Sequence, residues 1–72
     1  MDRTPRPQDL APLSPREREV ALQVFAGRSN QEISAALGIS AKTVEGHLSA
    51  AFAKLGVRSR AQLAVYVALS CA

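Results

Sequence analysis

Apolar residues recur along this chain at the three- and four-residue spacing of an amphipathic helix, in four separate stretches. No stretch alternates apolar and polar residues as a half-buried strand does, so we expect an all-α fold of four helices. The predicted inward positions are Val20, Ala21 and Val24 in the first helix; Ile33, Ala36 and Leu37 in the second; Val44, Leu48, Ala51, Phe52 and Leu55 in the third; and Leu63, Tyr66 and Val67 in the fourth.

Serine marks the predicted start of every helix. Residues 14–17, 29–32 and 59–62 each begin with serine and end with glutamate or glutamine, which is the pattern of a capping box. In a capping box each of the two side chains accepts a hydrogen bond from the other residue's backbone N–H. Ser40 begins the third helix, and a glycine follows each of the first three helices, at Gly27, Gly38 and Gly56.

A short turn that contains Gly38 joins the second and third predicted helices. A short helix, a turn of about three residues and a longer amphipathic helix form the pattern of a helix-turn-helix motif. Gly38 lies where the chain must turn sharply, so we expect it to have a positive φ, which costs little only for glycine. The alternative at this point is a helical hairpin in a bundle that binds no nucleic acid.

Composition narrows the classes of function that remain. The chain has 72 residues and a net charge of +3, which suits one small domain and permits an acidic partner such as nucleic acid. Cys71 is the sole cysteine and His47 the sole histidine, so we predict neither an internal disulfide nor a four-ligand zinc site. The sequence has no paired carboxylates, nucleophile–base pair or phosphate-binding loop, and we therefore predict neither an enzyme nor a cofactor.

The N-terminal residues differ in composition from the rest of the chain. Residues 1–12 contain three prolines and balanced charge, which predicts a flexible segment or linker before a domain at residues 13–72. No apolar run approaches the roughly 20 residues needed to cross a bilayer, and no secretory signal is present. We therefore expect a cytoplasmic protein without a membrane partner.

Four separated blocks of the sequence carry a resemblance to a known family. They read LSPREREV from Leu13, GRSNQEI from Gly27, ISAKTV from Ile39 and KLGVRSR from Lys54. With these intervals, residues 13–69 closely resemble the LuxR/GerE-type DNA-binding domain of bacterial transcription regulators. The resemblance implies a four-helix domain with the third helix in the major groove and the fourth helix used for dimerisation.

Members of that family usually carry an N-terminal receiver or ligand-sensing domain. The resemblance therefore implies either the detached output domain of a larger regulator or a stand-alone short regulator. In both cases we predict sequence-specific binding of double-stranded DNA. The alternative is a protein-interaction module of the same fold that docks on RNA polymerase or another regulator, which an outward Leu22 and the apolar fourth helix would serve.

The third helix, residues 40–55, is the predicted reading helix. Projection at about 100° per residue places Lys42, Glu45, Gly46 and Ser49 opposite its buried stripe, with Ala50 at the edge. In helix-turn-helix proteins the N-terminal residues of this helix contact base edges. Lys42 can donate to guanine, Glu45 can accept from cytosine N4, and Ser49 can do either. Many relatives carry lysine or arginine on this side of the helix, whereas this chain has small residues there. The small residues predict apolar contacts to thymine methyls and water-mediated contacts to bases.

Contacts to the DNA backbone are then expected to supply much of the affinity. The predicted phosphate contacts are Lys42, Thr43, Lys54, Arg58 and the start of the second helix at Asn30, whose free N–H groups suit a phosphate oxygen. For Lys54 and Arg58 the alternative is solvated surface charge.

Three other polar residues have predicted structural roles. Glu17 is expected to form a buried salt bridge with a nearby arginine. His47 flanks the buried stripe, so it is expected either to be half-buried against protein or to touch a phosphate. Tyr66 faces inward and is predicted to belong to the core.

The fourth helix is apolar almost all the way round, which is unusual for a surface helix. Its outward residues, Ala61, Val65, Ala68 and Leu69, predict the interface of a two-fold homodimer. Such a dimer would read two half-sites about one turn of DNA apart. The alternative is that this face packs on an N-terminal domain of a larger regulator.

Overall fold

Four α-helices make up the regular structure in the computed structural model, which describes residues 9–70. They are α1 (Pro15–Phe25), α2 (Asn30–Leu37), α3 (Ala41–Leu55) and α4 (Arg60–Ser70). No strand occurs between residues 9 and 70, and the predicted all-α fold of four helices is confirmed. The first eight residues of the predicted flexible segment, and Cys71, lie outside the described residues.

Hydrogen bonds at the starts of α1 and α2 show the predicted capping boxes. The Ser14 hydroxyl accepts from the Glu17 N–H at 3.2 Å, and Glu17 Oε1 accepts from the Ser14 N–H at 3.0 Å. Ser29 and Glu32 make the same exchange at 3.1 and 2.8 Å. Both boxes satisfy N–H groups that the first turn of a helix would otherwise leave without a partner.

The start of α4 departs from the predicted box. The Ser59 hydroxyl accepts from the Gln62 N–H at 3.1 Å, as expected. Gln62 Oε1 instead accepts from the Arg58 N–H at 2.7 Å, one residue before the expected donor. The glutamine side chain therefore holds the connection between α3 and α4 as well as the first turn of α4.

Helix α1 is central to the packing, because it contacts both α3 and α4, while α2 packs on α3. Leu37, Phe52 and Leu55 are only partly buried against the core, and Leu10, before the predicted domain boundary, also packs on it. Tyr66 is half-buried, with its hydroxyl donating to the Asp9 carbonyl at 3.1 Å. The buried apolar residues are Leu13, Val20, Ala21, Val24, Ile33, Val44, Leu48, Ala51, Leu63 and Val67.

Ala36 was predicted to face inward, and this prediction is wrong, since Ala36 is exposed. α2 has eight residues and packs mainly on one neighbour, α3, so its buried side is narrow. Ile33 and Leu37 lie one turn apart and fill that side, which leaves Ala36 on the flank.

Gly38 forms the turn of the helix-turn-helix motif. Its φ of 70° and ψ of 33° are left-handed, as predicted, and the Gly38 and Ile39 N–H groups both donate to the Ser34 carbonyl. These bonds end α2, and the chain enters α3 three residues later. The Ser40 hydroxyl caps α3 by accepting from the Thr43 N–H at 3.0 Å.

Two glycines allow the backbone contribution of the turn to be measured. A Cβ at Gly38 or at Gly46 would meet no atom within 4 Å, so the two sites differ in backbone conformation rather than in space. Gly38→Ala should destabilise the fold by about 1–2 kcal/mol, because the residue is left-handed. Gly46→Ala should stabilise it by about 1 kcal/mol, because Gly46 lies inside α3. Urea unfolding measures both, and shifts of the same sign would contradict this account.

Candidate nucleic-acid interface

The exposed side of α3 carries the predicted reading residues. Lys42, Glu45, Gly46 and Ser49 are exposed, and Ala50 is half-buried at the edge. Val44, Leu48 and Ala51 are buried on the opposite side. The rotation of α3 about its axis is therefore set by its apolar stripe, and this rotation decides which polar side chains face outward.

This side of α3 has the dimensions and chemistry for contact with base pairs. From Lys42 to Ser49 the helix rises about 10 Å, and the major groove of B-DNA is about 12 Å wide. A Cβ at Gly46 would meet open space, so the backbone in the middle of this side is accessible. One cation, one carboxylate and one hydroxyl offer both donors and acceptors to base edges.

Thr43 stands beside this surface and takes part in the cap of α3. Its backbone N–H donates to Ser40 Oγ, and its own Oγ1 lies 2.8 Å from the same oxygen. Thr43 is exposed, so its hydroxyl is held in place at the first turn of α3 while remaining accessible to solvent.

Glu17 pairs with Lys54, so the prediction of an arginine partner is wrong. Lys54 Nζ donates to Glu17 Oε1 at 2.7 Å, which joins the end of α3 to the start of α1. The Glu17 side chain is 11% exposed and that of Lys54 is 42% exposed. Lysine reaches this carboxylate because α1 packs on α3, an arrangement that residues 37 positions apart do not reveal in the sequence.

The ion pair lowers the pKa of the Glu17 carboxyl below its ordinary value. The largest cause is the hydrogen bond from Lys54, followed by the one from the Ser14 N–H, and both outweigh the opposing effect of desolvation. Glu17 thus accepts from a helix cap and from an ammonium group at once. Lys54 is committed to this carboxylate, but its exposure leaves room for a second acceptor.

A pH series tests this ion pair. Because the pKa of Glu17 is lowered on folding, its contribution to stability is full above about pH 4.5 and is lost as the pH falls through the folded value. Glu17→Gln should therefore lower the melting temperature at neutral pH, and its difference from the wild-type chain should shrink in acid. Circular dichroism melts from neutral pH to pH 2 measure this. A difference that is constant with pH would show that the charge of Glu17 contributes nothing.

Asn30 lies at the start of α2 and is held by Arg60, to which sequence analysis assigned no role. Arg60 Nη1 donates to Asn30 Oδ1 at 2.6 Å, and Nη2 donates to the Arg28 carbonyl at 2.5 Å. One signal could have indicated such a role, because a cation in the first turn of a helix opposes the helix dipole. Acceptors outside its own helix stabilise an arginine at that position, as Asn30 and the Arg28 carbonyl do for Arg60.

The remaining predicted polar contacts lie around these elements. Arg58 is exposed in the connection before α4, and its N–H donates to Gln62 Oε1. Lys54 lies near the end of α3, beside the start of α1. His47 is half-buried on the flank of α3, and the choice between its two predicted roles stays a prediction.

The outward side of α4 is apolar. Ala61, Val65, Ala68 and Leu69 are all exposed, and Val65 shows 58% of its surface. Val65 and Leu69 lie one turn apart, and with the end of α3 they line a shallow groove. Leu63 and Val67 bury the other side of α4 in the core, so the outward residues are those that the core cannot cover.

Residues 9–70 contain neither a helix suited to span a membrane nor a cluster of metal-binding side chains. None of the helices there combines the length and the apolar character needed to span a membrane. No group of histidine, cysteine, aspartate and glutamate side chains in that range is arranged to hold a metal ion.

Comparison with known proteins identifies the family. Residues 11–67 match the family described as "Bacterial regulatory proteins, luxR family". The chain belongs to the luxR family. This luxR-family match covers α1, α2, α3 and most of α4, so the earlier resemblance to this family is confirmed.

Relatives of this luxR-family chain are named as transcriptional regulatory proteins. TdiR of Thauera aromatica is 48% identical over 58 residues, covering 81% of the chain and 26% of TdiR. MctR of Rhizobium johnstonii is 46% identical over 55 residues, covering 76% of the chain and 26% of MctR. LnrK of Bacillus subtilis is 41% identical over 61 residues, covering 85% of the chain and 28% of LnrK.

The chain spans about a quarter of the length of these luxR-family relatives, 26% of TdiR and 28% of LnrK. Transcriptional regulators of this family are not enzymes, which agrees with the prediction from sequence. The family and the names of the relatives favour a DNA-binding regulator over a module that binds only proteins.

Proposed function

We propose that this luxR-family domain binds double-stranded DNA sequence-specifically, with α3 in the major groove, as part of a bacterial transcription regulator in the cytoplasm. The observation that carries the proposal is the exposed side of α3, where Lys42, Glu45 and Ser49 stand opposite a buried stripe. The domain is taken as residues 13–72, preceded by a linking segment at residues 1–12. The regulators named among its relatives support this proposal.

Base contacts come from the exposed side of α3. Lys42 donates to guanine or to a phosphate, Glu45 accepts from cytosine N4, and Ser49 adapts to either. Gly46 lets the backbone approach the bases closely, and Ala50 contacts a thymine methyl at the edge. With so few long side chains, part of the reading passes through water.

Phosphate contacts surround this side of α3. Thr43 and Lys42 lie at its start, Asn30 at the start of α2, and Arg58 before α4. If Lys54 left Glu17 in order to bind a phosphate, a carboxylate that is only 11% exposed would lose its cationic partner, which is unfavourable. We therefore assign Lys54 a contact made in addition to its ion pair.

Selection of bound duplexes from a random DNA pool tests the proposal. We expect enrichment of a palindrome whose half-sites lie about one turn apart. Binding should weaken with salt, with log K falling by about 0.9 per phosphate neutralised for each unit of log salt concentration. An unenriched pool together with salt-independent binding would contradict DNA binding.

Lys42→Ala should lower affinity for the enriched duplex roughly tenfold, since it removes a charged contact. Arg18→Ala is a matched control, because Arg18 is also exposed but lies on α1. Lys54→Ala is less suitable, because it would also leave Glu17 without its partner. Equal losses in the Lys42 and Arg18 variants would indicate a general effect of charge rather than a contact from α3.

The outward side of α4 is proposed as the interface of a homodimer on DNA. Ala61 and Ala68 are small enough to allow two helices to approach, and Val65 and Leu69 supply apolar area. Burying this side would cover apolar surface that a monomer leaves in water. Two-fold pairing would also match the symmetry of a palindromic DNA site.

Val65→Glu should disrupt this pairing and lower affinity for a duplex with two half-sites roughly tenfold or more, because the second half-site no longer adds to the first. Leu22→Glu is the control, since it places the same charge at an exposed leucine of α1. Sedimentation with and without duplex measures pairing. If neither pairing nor affinity changes in the Val65 variant, α4 is not the interface.

A second candidate activity is docking on a protein such as RNA polymerase or another regulator. Leu22 and Phe25, three residues apart on α1, are 41% and 48% exposed. Apolar side chains at this spacing form one patch on a helix surface. This docking would accompany DNA binding, because the patch lies on α1 and leaves the exposed side of α3 free.

A further inference from the structure

Arg60 joins the first residue of α4 to the start of α2. Its two terminal nitrogens donate to Asn30 Oδ1 at 2.6 Å and to the Arg28 carbonyl at 2.5 Å. These acceptors lie on either side of Ser29, the residue that caps α2. α2 and α4 are not a major packing pair of this fold, so the guanidinium supplies a specific tie between them.

The tie determines which end of the Asn30 amide is free. A guanidinium carries donors and no acceptor, so the amide oxygen must face Arg60. The Nδ2 group, with its two N–H donors, then points elsewhere and has no acceptor among residues 9–70. Asn30 therefore offers donors, rather than an acceptor, to whatever approaches the start of α2.

Electrostatics at this corner favour an anion. Arg60 lies in the first turn of α4 and against the start of α2, and both helix ends carry partial positive charge. The nearby Glu32 carboxylate, which accepts from the Ser29 N–H, offsets part of this positive charge, and the Asn30 Nδ2 donors add to what remains. A phosphate oxygen would accept from Asn30 Nδ2 and relieve the mutual repulsion of these positive groups.

We propose that Arg60 is a positioning residue for DNA binding. By holding Asn30 Oδ1 it presents the Nδ2 donors to a backbone phosphate, and it fixes this contact relative to α4. This inference rests on the proposed function, because it assumes that DNA approaches Asn30.

Asn30→Asp distinguishes the role of the amide oxygen, which binds Arg60, from the role of the Nδ2 donors. Aspartate keeps an oxygen for Arg60, so the melting temperature should be at least that of the wild-type chain, helped by a carboxylate at a helix start. It also replaces the Nδ2 donors with a second oxygen that repels phosphate. Affinity for a fluorescein-labelled duplex of mixed sequence at low salt should fall roughly tenfold.

Gln31→Glu is the matched control. Gln31 is exposed, and this substitution adds the same negative charge one residue further along α2. Its affinity should fall much less than that of Asn30→Asp. Equal losses in the two variants would overturn the inference, because the effect would then be that of charge alone. If the wild-type chain itself fails to bind duplex, the proposed function fails, and this inference fails with it.

Variants of Arg60 distinguish positioning from direct contact. Arg60→Ala, Asn30→Ala and the double variant should lose affinity to the same extent. If Arg60 acts only by holding Asn30, losing either residue removes the same phosphate contact. Arg60→Lys should not restore affinity, since a single ammonium cannot hold both acceptors in the same way. All are compared well below their melting temperatures, so that loss of folding does not contribute.

The salt dependence gives an independent measurement. If Arg60 only positions Asn30, the slope of log K against log salt should stay that of the wild-type chain in Arg60→Ala. A slope reduced by about 0.9 would mean that Arg60 itself neutralises a phosphate, and it would overturn the positioning role. Additive losses in the double variant would overturn it as well.

Discussion

The packing of α3 against α1 is the constraint on which the rest of the molecule depends. Val44 and Ala51 of α3 are fully buried, as are Val20 and Ala21 of α1. A domain of this size buries only about 60% of the surface that its unfolded chain exposes. Leaving the apolar stripe of α3 in water would therefore remove much of the stability of the fold. The same contact fixes how α3 is rotated, and thus which of its side chains face outward.

Two polar ties hold the edges of this arrangement. Lys54 bonds to Glu17 and joins α3 to α1, and Arg60 bonds to Asn30 and joins α4 to α2. Each tie uses a residue close to the surface proposed to meet DNA. Because the fold has no disulfide among residues 9–70 and a small core, such charged hydrogen bonds can stabilise the domain and shape its surface at once.

The exposed sides of α3 and α4 consist of the residues that the core does not cover. α4 buries Leu63 and Val67 and leaves Val65 and Leu69 in solvent, although its sequence is apolar on both sides. α3 leaves a polar side that contains one lysine and one glutamate. One helix therefore offers apolar area to a second chain, and the other offers hydrogen-bonding groups, so the two proposed interactions use different physical forces.

The sequence by itself determined the four helices, the N-terminal caps of α1, α2 and α3 and the turn at Gly38, because capping boxes and left-handed glycines depend on residues within a few positions of one another. It also determined the exposed side of α3, since helical periodicity fixes which residues share a face. Only the tertiary structure decided that Lys54 pairs with Glu17, that Arg60 holds Asn30 and that Ala36 is exposed. These outcomes depend on which helices become neighbours and how much of each is covered, and local spacing carries no information about contacts between residues thirty or more positions apart.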